Sequence, residues 1–181
     1  MVYVSGLSDA QLDGLISNVK GIYHEFLFVA AENADGDAYS AALFEETNYP
    51  GADVLITNEL TGEVQSVQLK ATQYRSYIRE HQERYAEFQV YATEEVAGDE
   101  ISSSGFTNEQ ITEDTETVID ALRDGDSAID DAMATSALLA LAYQLGRVLK
   151  SKDVSVEATQ KATINITKAA FFSGLAAWAI G

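Results

Sequence analysis

The chain has 181 residues, 46% of them hydrophobic, which is enough for one domain with a substantial core and a small appendage. It contains no cysteine, so disulfides and thiolate metal sites are excluded. The formal charge of −18 repels polyanions at long range, so a nucleic-acid function must rest on a local basic site or on bound cations. The excess is uneven: residues 1–93 carry −9, residues 94–131 carry −12 and residues 132–181 carry +3.

The opening stretch MVYVSGLSDAQLDG has neither a basic start nor a long apolar run, so it does not read as a signal peptide, and a cytoplasmic location is expected. Ser8 and Gln11 have capping-box spacing. Leu12, Leu15, Ile16, Val19, Ile22, Tyr23, Phe26, Leu27 and Ala30 then recur at helical intervals. Near its end, IYHEFLFVAA is apolar around almost the whole circumference, which predicts a buried helix end with His24 and Glu25 as its only polar side chains. NADGDAYS is turn chemistry, and AYSAALFEETN reads as a first strand, where one of Glu45 and Glu46 could join an acidic cluster, although a solvated strand edge explains them more simply.

Pro50 to Thr72, PGADVLITNELTGEVQSVQLKAT, reads as a hairpin closed by Glu59-Leu60-Thr61-Gly62, a four-residue loop in which Gly62 is free to take positive φ. Asn58 then opposes Glu63, which sets Asp53 opposite Gln68 and Val54 opposite Val67. Lys70 shares the face of Gln68, while Val54, Ile56, Val67 and Leu69 occupy the other. Three polar side chains are thus segregated on one side of an apolar strand pair.

QYRSYIREHQERYAEF follows as a helix with Tyr74, Tyr77, Ile78, Tyr85 and Phe88 near helical spacing, and QVYAT as a fourth strand. AGDEISSSGFTNEQITEDTE reads as a loop leading into an exposed helix that ends near Gly125, with Thr107 and Gln110 as a second capping box. Two Ala-rich segments close the chain. Their uncharged runs, Ala132–Gly146 and Ala169–Gly181, are 15 and 13 residues long, short of the roughly 20 a spanning helix needs. They are expected to form a helical hairpin that packs on the domain, on a partner protein or on a second copy as a homo-oligomer. The expected organisation is a core over residues 1–96, an acidic connector and helix over 97–131, and the hairpin over 132–181.

A carboxylate on the first helix, an aspartate opening the second strand and Gln-x-Lys on the third together resemble the PD-(D/E)xK nuclease superfamily. Glu25 in YHEFLF matches the helical glutamate, YPGADV the Pro-Asp element with Gly51 and Ala52 inserted, and VQLKAT the third strand. With Gln68 in place of an acid the motif is QxK, as in Mrr-like branches. The resemblance covers about residues 8 to 93. It implies an α/β, restriction-endonuclease-like core around a four-stranded mixed sheet flanked by helices, and a DNA substrate.

The same residues suit hydrolysis of phosphodiesters, which calls for a hard cation with oxygen ligands and room for water. The expected Mg²⁺ or Mn²⁺ ligands are Glu25, Asp53 and the neutral amide oxygen of Gln68, helped by the Leu69 carbonyl. Lys70 would act on the attacking water or on the phosphate. Structural alternatives are a surface position for Glu25 and a Lys70–Asp53 ion pair. Arg75 and Arg79, four apart, share a helix face and could meet phosphates or pair with Glu80, Glu83 or Glu87. His24 and His81 read as structural or surface histidines. Two other functions fit the sequence: a non-catalytic binding module or acidic nucleic-acid mimic, favoured by the charge, and a membrane-linked effector, favoured by the C-terminal segments.

Overall fold

The structure, a computed structural model, describes residues 8–44 and 50–124. Glu45, Glu46 and the C-terminal Ala-rich pair lie outside them, as does the end of the connector. Residues 20–111 form one compact unit, and the described remainder, residues 8–19 and 112–124, belongs to a second.

Helix α1 runs Asp9–Glu32. Gln11 Oε1 accepts from both the Ser8 N–H and the Ser8 hydroxyl, each at 3.0 Å, so the expected cap forms with the glutamine as acceptor. Phe28 and Val29, off the main apolar stripe, are the α1 residues that enter the sheet-facing core, whereas Phe26 and Leu27 are half-buried and Ala30 is exposed. The helix is therefore apolar all round because two of its sides are covered. At its end the Asn33 side chain mimics a strand, donating to the Ala41 carbonyl and accepting from the Ala41 N–H, both at 2.9 Å, which fixes where β1 begins.

The sheet is mixed and open, with strands β1 Tyr39–Leu43, β2 Val54–Asn58, β3 Val64–Lys70, β4 Gln89–Ala92 and β5 Ser102–Ser103 in spatial order 1-2-3-4-5. β1, β2 and β3 are antiparallel neighbours; β4 and β5 add in parallel, β4 after the crossover helix α2, Arg75–Arg84. The sheet has five strands, not the expected four. β5 is only two serines long, lacks the β-branched alternation that marks a strand, and owes its place to pairing with Tyr91 and Ala92.

The hairpin has the expected register, with Val54 opposite Val67 and Ile56 opposite Gln65. Asn58 organises its turn: its side chain accepts from the N–H groups of Leu60 at 2.9 Å and Thr61 at 3.1 Å, and Gly62 takes φ +71°. Val54, Ile56, Val67 and Leu69 face Phe28 and Val29 of α1. Burying each such side chain contributes about 1.5–3 kcal/mol. Ile78, Val90, Ala92, Val96 and Ile101 make a second core, and by the parallel register Val90 and Ala92 share the face of Gln68 and Lys70.

Helix α3, Asn108–Asp124, starts at the predicted box, with the Gln110 N–H donating to Thr107 Oγ1 at 3.2 Å. Glu95 adds a second cap, accepting from the N–H groups of Asn108 at 2.9 Å and Glu109 at 3.1 Å. The helix is not wholly exposed, because Ile111, Thr115 and Ile119 are buried along one stripe. Among the described residues, no helix is long and apolar enough to cross a membrane.

His24 is structural, as expected: it is 0% exposed, its Nε2 is 2.7 Å from the Ser104 hydroxyl, and its ring meets Phe106 edge-on. Its Nδ1 has no partner. Burial, reinforced by the Lys20 charge, brings its pKa from 6.5 down to about 4. The imidazole is neutral in both folded and unfolded chains above pH 6.5, but between there and pH 4 only the unfolded chain takes up the proton. His24 should therefore remove roughly 3 kcal/mol of stability as the pH falls through that window. Urea unfolding at neutral pH and near pH 4 should show a smaller loss in His24→Leu than in the wild type.

Candidate active site

The order of elements places Asp53 one residue ahead of β2 and Lys70 at the last position of β3, side by side at one end of the sheet. Backbone bonds pin Asp53 on both sides: its N–H donates to the Val67 carbonyl at 2.9 Å, and its carbonyl accepts from Phe44 N–H at 3.3 Å. Asp53 Oδ2 then accepts from the Leu69 N–H at 2.9 Å and from the Gln68 side-chain amide. Asp53 and Gln68 are thus cross-strand neighbours, as the hairpin register requires. Gln68 is 6% exposed, and its Nε2 also donates to the Leu69 carbonyl at 3.1 Å.

The approach to Asp53 is tightly shaped. Gly51 has φ +89°, and a Cβ there would lie 2.8 Å from the rings of Tyr85 and Phe88, so the backbone occupies space that no side chain could share. The Gly51 carbonyl accepts from His81 Nε2 at 3.3 Å. Beyond Lys70, the buried Thr93 hydroxyl donates to the Thr72 carbonyl at 2.6 Å and accepts from its N–H at 3.3 Å, while Thr93 N–H donates to the Lys70 carbonyl at 3.2 Å. These bonds hold the end of β3 to β4 where Lys70 leaves the sheet.

Glu25 reaches the same place from α1. It lies one helical turn before Phe28 and Val29, on the side that faces the sheet. It is half-buried, and its carboxylate accepts no hydrogen bond among the described residues. Burial and the Asp53 charge push its pKa well above the usual carboxylate range, against the opposing pull of Lys70. Asp53 is also raised by burial, moderated by the Leu69 N–H, Lys70 and Gln68. Burial lowers the Lys70 pKa, and the two carboxylates resist that shift. The three charges therefore act on one another. Lys70 makes no direct ion pair among the described residues, contrary to the simple neutralising alternative; its Nζ lies 5.3 Å from the centre of the Tyr77 ring.

The structure brings Glu25, Asp53, Gln68 and Lys70 together. It places Arg75 and Arg79 elsewhere: at about 100° per residue they lie about half a turn from Tyr77, the residue that meets Lys70. Arg75 is turned to the Ala97 carbonyl, at 3.1 Å, and neither arginine forms an ion pair with Glu80, Glu83 or Glu87 among the described residues. The aromatic stripe of α2 also differs from expectation. Ile78 is its buried residue, while Tyr74 and Tyr77 are 64% and 54% exposed. Tyr77 and His81 are members of the site that the sequence pattern missed; their spacing of four on the helix after Lys70 was the available signal.

The donor set is two carboxylates, one amide and one backbone carbonyl, all oxygen if the Gln68 amide turns over. Among the described residues no cluster of three or more His, Asp or Glu side chains forms. Mg²⁺ fits such a set, because it binds through one or two carboxylates and keeps several waters. Comparison of the chain with protein-family models, curated proteins and solved structures found no match.

The raised carboxylate pKa values give a prediction with a definite sign. A group whose pKa rises on folding contributes its stability fully below its unfolded value, and that contribution is lost as the pH climbs through the folded one. At neutral pH, without cations, the carboxylate pair should therefore be a liability. Glu25→Gln should raise the melting temperature in EDTA at pH 8 by several degrees and change it little at pH 4, read by circular dichroism.

Proposed function

We propose that this protein is a divalent-cation-dependent nuclease of PD-(D/E)xK type, acting on DNA, with Glu25, Asp53, Gln68 and Lys70 as its active site. The observation that carries the reading is the convergence of two desolvated carboxylates and one lysine at a strand end, with Asp53 locked to the backbone of the motif strand at Leu69. The order helix, antiparallel three-strand meander, crossover helix and parallel strand supports a restriction-endonuclease-like core.

Mg²⁺ or Mn²⁺, when bound, would polarise the phosphoryl oxygen and make a bound water more acidic. Asp53 and Glu25 would hold the cation, and Asp53 Oδ1, which takes no part in the bonds to Leu69 and Gln68, is available for it. Gln68 now donates to Asp53, so its oxygen becomes a ligand only after the amide rotates. Lys70 orients the attacking water and, as an ammonium, balances charge growing on the phosphate; its lowered pKa makes that ammonium readier to give up its proton.

Alanine at Asp53, Glu25 or Lys70 should reduce divalent-dependent cleavage of DNA by about 100-fold or more with the fold intact, whereas Gln68→Ala should cost about tenfold, because the ligand lost is neutral. A plasmid and oligonucleotide nicking assay with Mg²⁺ and Mn²⁺ tests this. No cleavage by the wild type, and no cation binding sensitive to Asp53→Ala, would remove the catalytic reading. A second reading, the non-catalytic module, is favoured by the same Asp53 bonds, since Oδ2 already fastens the entry of β2 to β3 without a metal.

A further inference from the structure

Helix α2 presents a side that the proposed chemistry does not use. Tyr77, His81 and Arg84 recur at spacings of four and three along one stripe, and Tyr74, the N-cap residue in extended conformation, stands about one turn ahead of Tyr77. That stripe borders the site: Lys70 Nζ sits over the Tyr77 ring and His81 holds the Gly51 carbonyl two residues before Asp53. Tyr74 and Tyr77 are 64% and 54% exposed, unusual for large aromatics next to a buried charge cluster. Lys70 occupies one side of Tyr77, and more than half of the residue still meets solvent.

Two cations accompany the aromatics, Lys70 over the Tyr77 ring and Arg84 further along the stripe, while Arg75 and Arg79 lie on the opposite side of the helix. Of the six Lys and Arg among the described residues, four (Lys70, Arg75, Arg79 and Arg84) fall in residues 70–84, against Glu80 and Glu83. In a chain of charge −18 this stretch is net positive, so among the described residues a polyanion meets less repulsion here than along the acidic segments around it.

We infer that Tyr74, Tyr77 and Arg84 form a stacking platform that delivers single-stranded nucleic acid to the active site. The inference rests on the nuclease reading and narrows its substrate. A base in a duplex is already stacked on both sides, whereas an unpaired base can lie on an exposed tyrosine whatever its sequence, with neighbouring cations meeting its phosphates. Lys70 then serves two ends: it faces the reacting phosphate and fixes the ring on which the adjoining base rests.

The test uses the full chain in EDTA, where no metal-dependent cleavage intervenes, and follows the anisotropy of a short fluorescein-labelled oligothymidylate and of a duplex of equal length. The single strand should bind about tenfold tighter than the duplex. Tyr74→Ala and Tyr77→Ala should each weaken it by about tenfold, and Tyr77→Phe should stay near wild type because the ring and not the hydroxyl carries the contact. Photocross-linking of an iodouracil oligonucleotide should map to Tyr74 or Tyr77, which a merely structural role would not produce. Equal affinity for duplex, alanine variants that bind like wild type, or no binding at all would overturn the platform. Binding that fits the platform without any cleavage when Mg²⁺ is added would overturn the nuclease reading alone. Cleavage with Tyr74→Ala and Tyr77→Ala still binding like wild type would overturn the platform alone.

Discussion

Everything at the site depends on the register between β2 and β3. Side chains alternate across a strand, so a slip of one residue would carry Gln68 and Lys70 to the α1 side and put Val67 and Leu69 in their place. The register is set at the far end of the hairpin, where Asn58 bonds the N–H groups of Leu60 and Thr61 and Gly62 adopts a left-handed conformation. It is enforced along the strands by Val54 against Val67, both fully buried. Asp53 then reads the register out: its Oδ2 can reach the Leu69 N–H only when residues 54 and 67 are opposed. A polar contact at one end of the hairpin is thus selected by a turn at the other and by apolar packing between them.

The cost of the arrangement is electrostatic. Two carboxylates, Glu25 and Asp53, share a poorly solvated region with one amine, so full ionisation leaves an excess negative charge where water screens it least. The protein answers in two ways. Asp53 receives fixed donors, the Leu69 N–H and the Gln68 amide, which favour its ionised form. Glu25 receives none among the described residues and leans toward the protonated form. The pair is therefore differentiated by hydrogen bonding as well as by burial, and Glu25 is the partner that a cation would change most.

The fold was legible where one periodicity dominated. The α1 cap at Ser8, the hairpin register and the box at Thr107 all follow from local chemistry, and each is found where the residues put it. β5 was not legible, since Ser102 and Ser103 are strand residues only because β4 offers an open edge. The stripe on α2 misled for a related reason. Helical spacing of Tyr74 and Tyr77 marks a shared side but not whether that side is covered, and here Ile78 faces the core while both tyrosines face water, Tyr77 beside Lys70. At the site, Asp53, Gln68 and Lys70 could be aligned from the turn alone. The helix-to-sheet distance that brings Glu25 near them could not, because it depends on Phe28 and Val29 seating on Val67 and Leu69.

Glutamine at position 68 is consistent with this balance. A glutamate there would place a third carboxylate against Asp53 Oδ2, where the present amide donates, and the bond would become a repulsion inside a region already short of positive charge. The amide avoids that conflict because it carries a donor and an acceptor on one terminus, and its last torsion has a broad two-fold preference. Facing Asp53 with its nitrogen, Gln68 ties the entry of β2 to β3. Turned over, it offers an oxygen of the kind Mg²⁺ accepts, at the loss of one hydrogen bond. In the proposed nuclease site a carboxylate would bind a metal more strongly but could play only the second part, so the neutral residue would exchange ligand strength for an arrangement that stays assembled when no cation is bound.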